Sequence, residues 1–423
     1  MKIKLAYGRL GLTINAPDNI DILDARPTPG LADERKSIKE ALRMPIQSAP
    51  LRDKIKSGNK VVIVHTDITR ATPNDRILPV LLDEVESAGI TRNDIILLNG
   101  LGTHRPQTQD ELRSMLGAEI VENYHCIQHD CHDPQELVSL GKTLLGNPVR
   151  INRTYLEADV RILTGFIEPH FFAGFSGGPK AVLPSLAGAE SVFSNHGLAM
   201  IAHPKATWGI TDGNPIWEEM LEVALRTQPS FLLNVTLNSK REITGVYFGD
   251  MLAAHSCGIE AVRESAMVAV TEPYDIAITT NSGYPLDQNL YQSIKGLSAA
   301  SQVVRPGGAI ILAAACEDGL PEHGMYADLL ARGGSPQDVI DMISQPGFCA
   351  QDQWQAQIQA QIQKHIDVYV YSDGLTAQQI QEALFIPCEN IPDTVKHLLE
   401  QYGKAARLCA IPEGPQVIPY LVS

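Results

Sequence analysis

Short runs of β-branched and aliphatic residues, each closed by a polar turn and followed by a helix-like stretch, recur along this chain and restrict its fold more than any other feature. KVVIVH (60–65) leads through TDITRATPN into ILPVLLDEVESAG, DIILLNG (94–100) leads through LGTHRPQT into another helical pattern, and ADVRILTG (158–165) leads into EPHFFAGFSGGPK. Apolar runs of this length suit strands buried on both faces, and the helical stretches between them supply the crossovers that parallel strands need. FLLNVTLNSKREITGVYFGD (231–250) breaks the rhythm and predicts an antiparallel hairpin turning near Ser239. After the helical MLAAHSCGIEAVRESAM the rhythm resumes with a strand YDIAITTN (274–281), a helix NLYQSIKGLSAASQVV (289–304), a turn RPGG and a strand AIILAAAC (309–316). A helix, strand and helix follow around DVYVYSD (367–373). The pattern predicts α/β architecture: two α/β domains with mainly parallel sheets facing a central cleft. Residues 1–268 are expected to form the first domain and 269–403 the second, with the apolar end, 404–423, docking back on the first.

A chain of 423 residues is too long for one ordinary core. Its net charge of −15 disfavours nucleic acid and anionic membranes as partners, so local Arg and Lys must hold any anionic ligand against the overall field. No apolar run reaches the roughly 18 residues of a membrane span. The opening MKIKLAYGRLGLTINAP is broken by Gly8 and Arg9 where a signal peptide needs its apolar stretch. Seven cysteines, an odd number, fit a reducing compartment, and a cytoplasmic location is expected.

The unusual polar residues all follow strands. Asp67 and Arg70 follow the first, His104 and Arg105 the second, His170 the third, and Tyr291, Gln292 and Lys295 lie beyond the fourth. Open α/β sheets bind ligands beyond the carboxyl ends of their strands. Asp67 to Arg70 reads either as a turn or as an anion clamp, since an arginine can grip a carboxylate with two parallel hydrogen bonds. Gln292 and Lys295, three apart on a helix, share one face. His104 and His170 are each either a solvated or core histidine or a positioned acid/base, and two imidazoles at one sheet edge could move protons on opposite faces of one carbon. His203, His255, His323, His365 and His397 show no supporting pattern. HDCHDP (129–134) crowds its potential metal ligands with no second pair elsewhere, which favours a structural turn.

Lys180 follows a glycine-rich turn, yet a phosphate loop fails here. Pro179 stands where its second glycine should be and Ala181 where magnesium needs a hydroxyl. A dinucleotide fingerprint fails as well, because NGLGTHRP offers Gly100 and Gly102 but then Arg105.

Taken together, DITR (67–70), GTHR (102–105), HDC (129–131), EPHFFAGFSGGPK (168–180), NH (195–196) and YQSIKG (291–296) resemble the LarA-type lactate racemase family in order and spacing. The resemblance implies an isomerase, a racemase or epimerase of a 2-hydroxy acid with lactate foremost. It would work by proton-coupled hydride transfer to a nickel-pincer nucleotide (Ni(II)-pyridinium-3,5-bisthiocarboxylic acid mononucleotide). It further implies that Lys180 tethers this cofactor covalently, that His196 is the metal ligand and that His104 and His170 are the acid/base pair. Asp67, Ile68, Thr69 and Arg70 would contact the cofactor, and Arg70, Tyr291, Gln292 and Lys295 the substrate. Cofactor biosynthesis proteins would be needed for loading, and a homo-oligomer is compatible with the resemblance. No role carries over to His129 or Cys131. Ala71 and Ser185 depart from the commoner proline and glycine, and neither is expected to touch the chemistry. The rival readings are an NAD-dependent 2-hydroxyacid dehydrogenase and a noncatalytic carrier of the same cofactor.

Overall fold

The computed structural model describes residues 1–321, 324–403 and 405–422, so His323 lies outside the described residues. Two six-stranded sheets organise the chain. The first runs in the order Ile243–Gly249, Phe231–Leu237, Val160–Phe166, Val61–Thr66, Ile95–Gly100 and His125–Gln128. All its neighbours are parallel except the first pair, which is the expected hairpin. The strand Val61–Thr66 shows why such runs are continuously apolar. Val61 and Ile63 pack into the core on one face, while Val62 and Val64 pack into the core on the other.

The second sheet is parallel throughout, in the order Ile386–Pro387, Asp367–Tyr371, Val304–Ala313, Tyr274–Thr280, Leu408–Ile411 and Asp21–Ile22. Three features differ from the sequence expectation. The RPGG turn lies inside the strand Val304–Ala313, where Tyr274 pairs with Val304 but Ile276 already pairs with Ala309, so the extra residues form a bulge. The C-terminal stretch does not simply dock on the first domain. Leu408–Ile411 inserts into the second sheet, and Ile418–Leu421 pairs with Met267–Val270. Conversely the N-terminal hairpin, Lys2–Leu5 against Leu12–Asn15, packs its Ile3, Leu5 and Ile14 against Ile276, Ile278 and Ile311 of the second sheet.

Helix starts are set by side-chain caps near the cleft. Thr108 and Glu111 form a reciprocal capping box that opens Gln109–Leu116, just beyond the His104 loop. Asn289 accepts from the Gln292 backbone N–H and opens Leu290–Ser301, which places Tyr291, Gln292 and Lys295 in its first two turns. Among the described residues no helix is long and apolar enough to cross a membrane.

Candidate active site

The carboxyl ends of the first sheet's strands and the start of Leu290–Ser301 enclose one cleft of about 100 Å³. Asp67, Arg70, His104, His170, Lys180, His196, Tyr291, Gln292 and Lys295 all line it. Ile68 and Thr69 do not. They face a smaller adjoining hollow, and Thr69 serves instead to brace Asp67.

Asp67 organises the loop after Val61–Thr66. Its Oδ1 accepts from the Thr69 backbone N–H (3.2 Å) and hydroxyl (2.7 Å), and its Oδ2 lies 2.6 Å from His104 Nδ1. Burial alone would raise this carboxyl, but His104, Thr69 and Arg70 together hold it below the usual range. An ionised Asp67 makes His104 Nδ1 the donor and leaves Nε2 as a proton acceptor. His170 is set the other way. Its Nδ1 accepts from the Ala173 backbone N–H at 3.3 Å, so the neutral ring carries its proton on Nε2. Burial pushes His170 well below the ordinary imidazole range, and the nearby cations Lys180, Arg70 and Lys295 push the same way.

Lys180 sits in the single helical turn Gly178–Ala181, buried, with Nζ 5.5 Å from the centre of the Phe172 ring. Burial, then repulsion from Arg70 and Lys295, holds its amine well below the usual lysine range. The glycines before it serve internal packing. A Cβ on Gly177 would stand 2.5 Å from Asn234 Oδ1, and one on Gly178 would collide with the His255 ring, while both residues have positive φ. His255 is therefore a buried packing partner, its Nε2 bonded to the Ser176 carbonyl at 2.9 Å. Ser185, expected to be remote from the chemistry, lines the cleft and donates to the Lys180 carbonyl at 2.8 Å.

His196 ends the helix Ala189–Asn195, edge-on to Phe172 (4.9 Å) and Trp354 (5.2 Å). Its Nδ1 is fully buried and has no hydrogen-bond partner among the described residues. By contrast His129 is satisfied at both nitrogens, by the Ala187 carbonyl (3.0 Å) and the Asn152 amide (3.2 Å), and so ties the loop behind Ser185 in place.

From the second sheet's side, Lys295 Nζ donates to Gln292 Oε1 at 2.8 Å, the contact their spacing predicts. Burial, then Arg70, brings Lys295 down to about 7. Arg70 itself pairs with the buried Glu168 at 3.3 Å, and Glu168 also accepts from Gln416 of the C-terminal stretch. Sequence reasoning missed Glu168, although it lies in the EPH motif, and missed Trp354 and Gln355, which complete the cleft wall. Trp354 Nε1 donates to the Tyr291 hydroxyl at 3.1 Å. The cleft thus joins two differently bonded imidazoles, a buried amine held below its usual range, an imidazole lacking a partner at one nitrogen, and basic groups able to hold a carboxylate.

Residues 7–209 match the lactate racemase N-terminal domain and residues 269–419 the lactate racemase C-terminal domain. A lactate racemase of Thermoanaerobacterium thermosaccharolyticum is 35% identical over 98% of both chains. One of Lactiplantibacillus plantarum is 36% identical over 91% of both. The solved lactate racemase apoprotein from T. thermosaccharolyticum superposes with a TM-score of 0.91 at 34% identity, covering 99% of this chain and 100% of the other. Matched by both domain descriptions and by relatives aligned along nearly its whole length, this chain belongs to the lactate racemase family.

Proposed function

We propose that this chain inverts the hydroxyl-bearing carbon of a small 2-hydroxy acid, lactate foremost, with His104 and His170 handling the protons. The observation that carries this reading is that two imidazoles, His104 backed by the Asp67 carboxylate and His170 buried near the basic groups, line one cleft. His104, backed by the Asp67 carboxylate, takes the hydroxyl proton of one enantiomer on Nε2, and the same carboxylate stabilises the resulting imidazolium. His170 returns a proton to the oxygen from its imidazolium form, ending as the neutral ring, when the carbon has been attacked from its other face. In the reverse direction the two exchange roles. Arg70 and Lys295 hold the substrate carboxylate, and its charge offsets the repulsion that otherwise lowers Lys295. Gln292 keeps the Lys295 ammonium aimed.

Family membership implies a nickel-dependent cofactor. Our finer reading is a nickel-pincer nucleotide joined to Lys180, with His196 as its protein ligand to nickel. The residues present fit such a group. His196 lines the cleft with one ring nitrogen lacking a partner among the described residues, and burial, then repulsion from Arg70 and Lys295, lowers the Lys180 amine, which favours its nucleophilic form. Imidazole is also a suitable nickel ligand. When bound, the nickel group supplies a reversible acceptor for the hydride on the substrate's C2. We further read the chain as two units with a main division near residue 268, the second carrying Tyr291, Gln292 and Lys295 and taking in the N-terminal hairpin and Asp21–Ile22, working in the cytoplasm after loading by separate biosynthetic proteins.

The test is a panel of enantiopure 2-hydroxy acids incubated with cofactor-loaded protein and resolved by chiral chromatography, with intact mass and nickel content measured on the same sample. Loss of optical purity is expected for lactate or a neighbouring 2-hydroxy acid, and 3-hydroxy acids should be inert. Retained optical purity for every 2-hydroxy acid at full loading would overturn the reading.

A further inference from the structure

Beside the cleft lies a second hollow of about 40 Å³, enough by volume for roughly two or three waters. His104 faces it from the first sheet's side, and Tyr291 and Asp352 line it from the other. Asp352 is unusual on three counts. It is a buried residue with φ 64°, in the left-handed region that non-glycine residues avoid. It precedes the helix Gln353–Gln363 yet does not cap it, and turns its Oδ2 to the Met325 backbone N–H at 3.3 Å. Gly324 leaves the room this carboxylate occupies, since a Cβ there would collide with Oδ2. The adjacent Gln351 donates to the Thr103 carbonyl at 3.2 Å, so the segment is docked on the His104 loop itself.

The two-histidine reading, on which this inference rests, creates a need. Each conversion in one direction leaves one imidazole with an extra proton and the other short of one, and the enzyme must restore both before repeating it. His170 is 3% exposed and exchanges protons only through the emptied cleft, whereas the His104 side chain is 29% exposed and borders the hollow. We propose that Asp352 is the relay through which His104 exchanges its proton with solvent between turnovers. The His104 imidazolium gives a proton to water in the hollow, that water passes a proton to the Asp352 carboxylate, and the carboxylic acid releases it through the hollow, where the exposed Asp318 opens to solvent, to bulk water or a buffer base. Nothing is oxidised or reduced.

Asp67 is a poor alternative, because its carboxyl is buried and held low. Burial raises Asp352 to about 6, against the lowering effect of His104, so it can both take up and release a proton near neutral pH. Among the described residues, the other charged or titratable groups facing the hollow are Arg105, Asp318 and Tyr291. Arg105 is engaged by Glu111, and Tyr291 is pushed up by burial and by Asp352.

The test uses Asp352→Asn, since Asn tolerates the left-handed conformation and still accepts from Met325, with Asp352→Gly as a second variant free of backbone strain. In loaded enzyme, slow restoration between turnovers lowers kcat and KM together. A drop in kcat of about 10-fold or more is expected with kcat/KM within about twofold of wild type, because restoration follows product release. Small buffer bases should restore kcat in both variants. In cofactor-free protein, the Asp352 carboxyl carbon followed by NMR should titrate near 6, and its midpoint should rise in His104→Gln. An unchanged kcat, a parallel loss of kcat/KM without buffer rescue, or a midpoint indifferent to His104 would each overturn the relay. If wild-type loaded enzyme inverts no 2-hydroxy acid, the functional reading falls first and takes the relay with it.

Discussion

Asp67→Asn isolates the role given to His104. The asparagine keeps the size of the side chain, and its carbonyl oxygen can still accept from Thr69, so the loop retains its brace. At the other end an amide N–H now faces His104 Nδ1 where a carboxylate oxygen stood at 2.6 Å. Two donors cannot share that contact, so Nδ1 becomes the acceptor and the ring proton moves to Nε2, the nitrogen required to be empty. The carboxylate that stabilised the imidazolium is gone as well. General-base assistance contributes about 10²- to 10⁴-fold, which at 1.36 kcal/mol per decade is about 2.7 to 5.4 kcal/mol of barrier. Proton removal by His104 should slow by that factor. Progress curves from each enantiomer, followed by chiral chromatography, measure the loss, and intact mass confirms equal cofactor loading. A rate within about threefold of wild type at equal loading would refute the argument that Asp67 sets the state of His104.

Lys180→Ala should abolish the covalent mass increment while the cofactor-free protein keeps or slightly raises its melting temperature, because the lost amine is buried and disfavoured as a cation; an adduct at equal occupancy would refute the tether. His196→Ala should retain the nucleotide adduct but release nickel faster to a chelator, and equal nickel retention would remove His196 as the ligand. Lys295 makes cofactor-free protein more stable as pH rises from about 7 toward the unfolded lysine value, since across that window the unfolded chain binds the extra proton. The slope of melting temperature against pH should therefore flatten in Lys295→Met, and an unchanged slope would contradict it. Gly178→Ala should cost about 2 kcal/mol or more, from positive φ and the collision with His255, and a neutral result by denaturant titration would contradict the packing role.

The residues that carry the proposed chemistry were legible because each closes a strand whose apolar run marks its end. Asp67, His104 and His170 sit just past Val61–Thr66, Ile95–Gly100 and Val160–Phe166, and strand ends are readable from period and composition alone. Which of them touch was not legible. Asp67 and His104 are 37 positions apart and meet only because their strands are parallel neighbours, and sequence spacing carries no record of sheet order. Trp354, Gln355 and Asp352 were hidden for another reason. QWQAQIQAQIQ reads as a solvated helix, yet Gln355, Gln357 and Gln359 are buried and spend their amides on the carbonyls of Tyr291, Leu198 and Ala383. A buried glutamine satisfied by backbone leaves no trace in a hydropathy pattern. The insertion of Leu408–Ile411 was missed on similar grounds, because its partners are the distant Tyr274–Thr280 and Asp21–Ile22.

The charge distribution joins fold to function. A chain of net charge −15 concentrates Arg70, Lys180 and Lys295 around one cleft, with Asp67 and Glu168 the carboxylates nearest them among the described residues. Each carboxylate is already committed, Asp67 to His104 and Glu168 to Arg70 and Gln416. Burial first, and then repulsion among the basic groups, lowers both Lys180 and Lys295, the latter to about 7. The two shifts have different consequences. Lowering the Lys180 amine favours the nucleophilic form that the proposed tether requires. Lys295 then regains its charge when a substrate carboxylate enters, so the cleft becomes most cationic at the moment an anion is present to be held. Carboxylate binding should accordingly take up a proton near neutral pH. Calorimetric titration of lactate into loaded protein in buffers of differing ionisation enthalpy would read that uptake directly, and a buffer-independent heat would contradict the account.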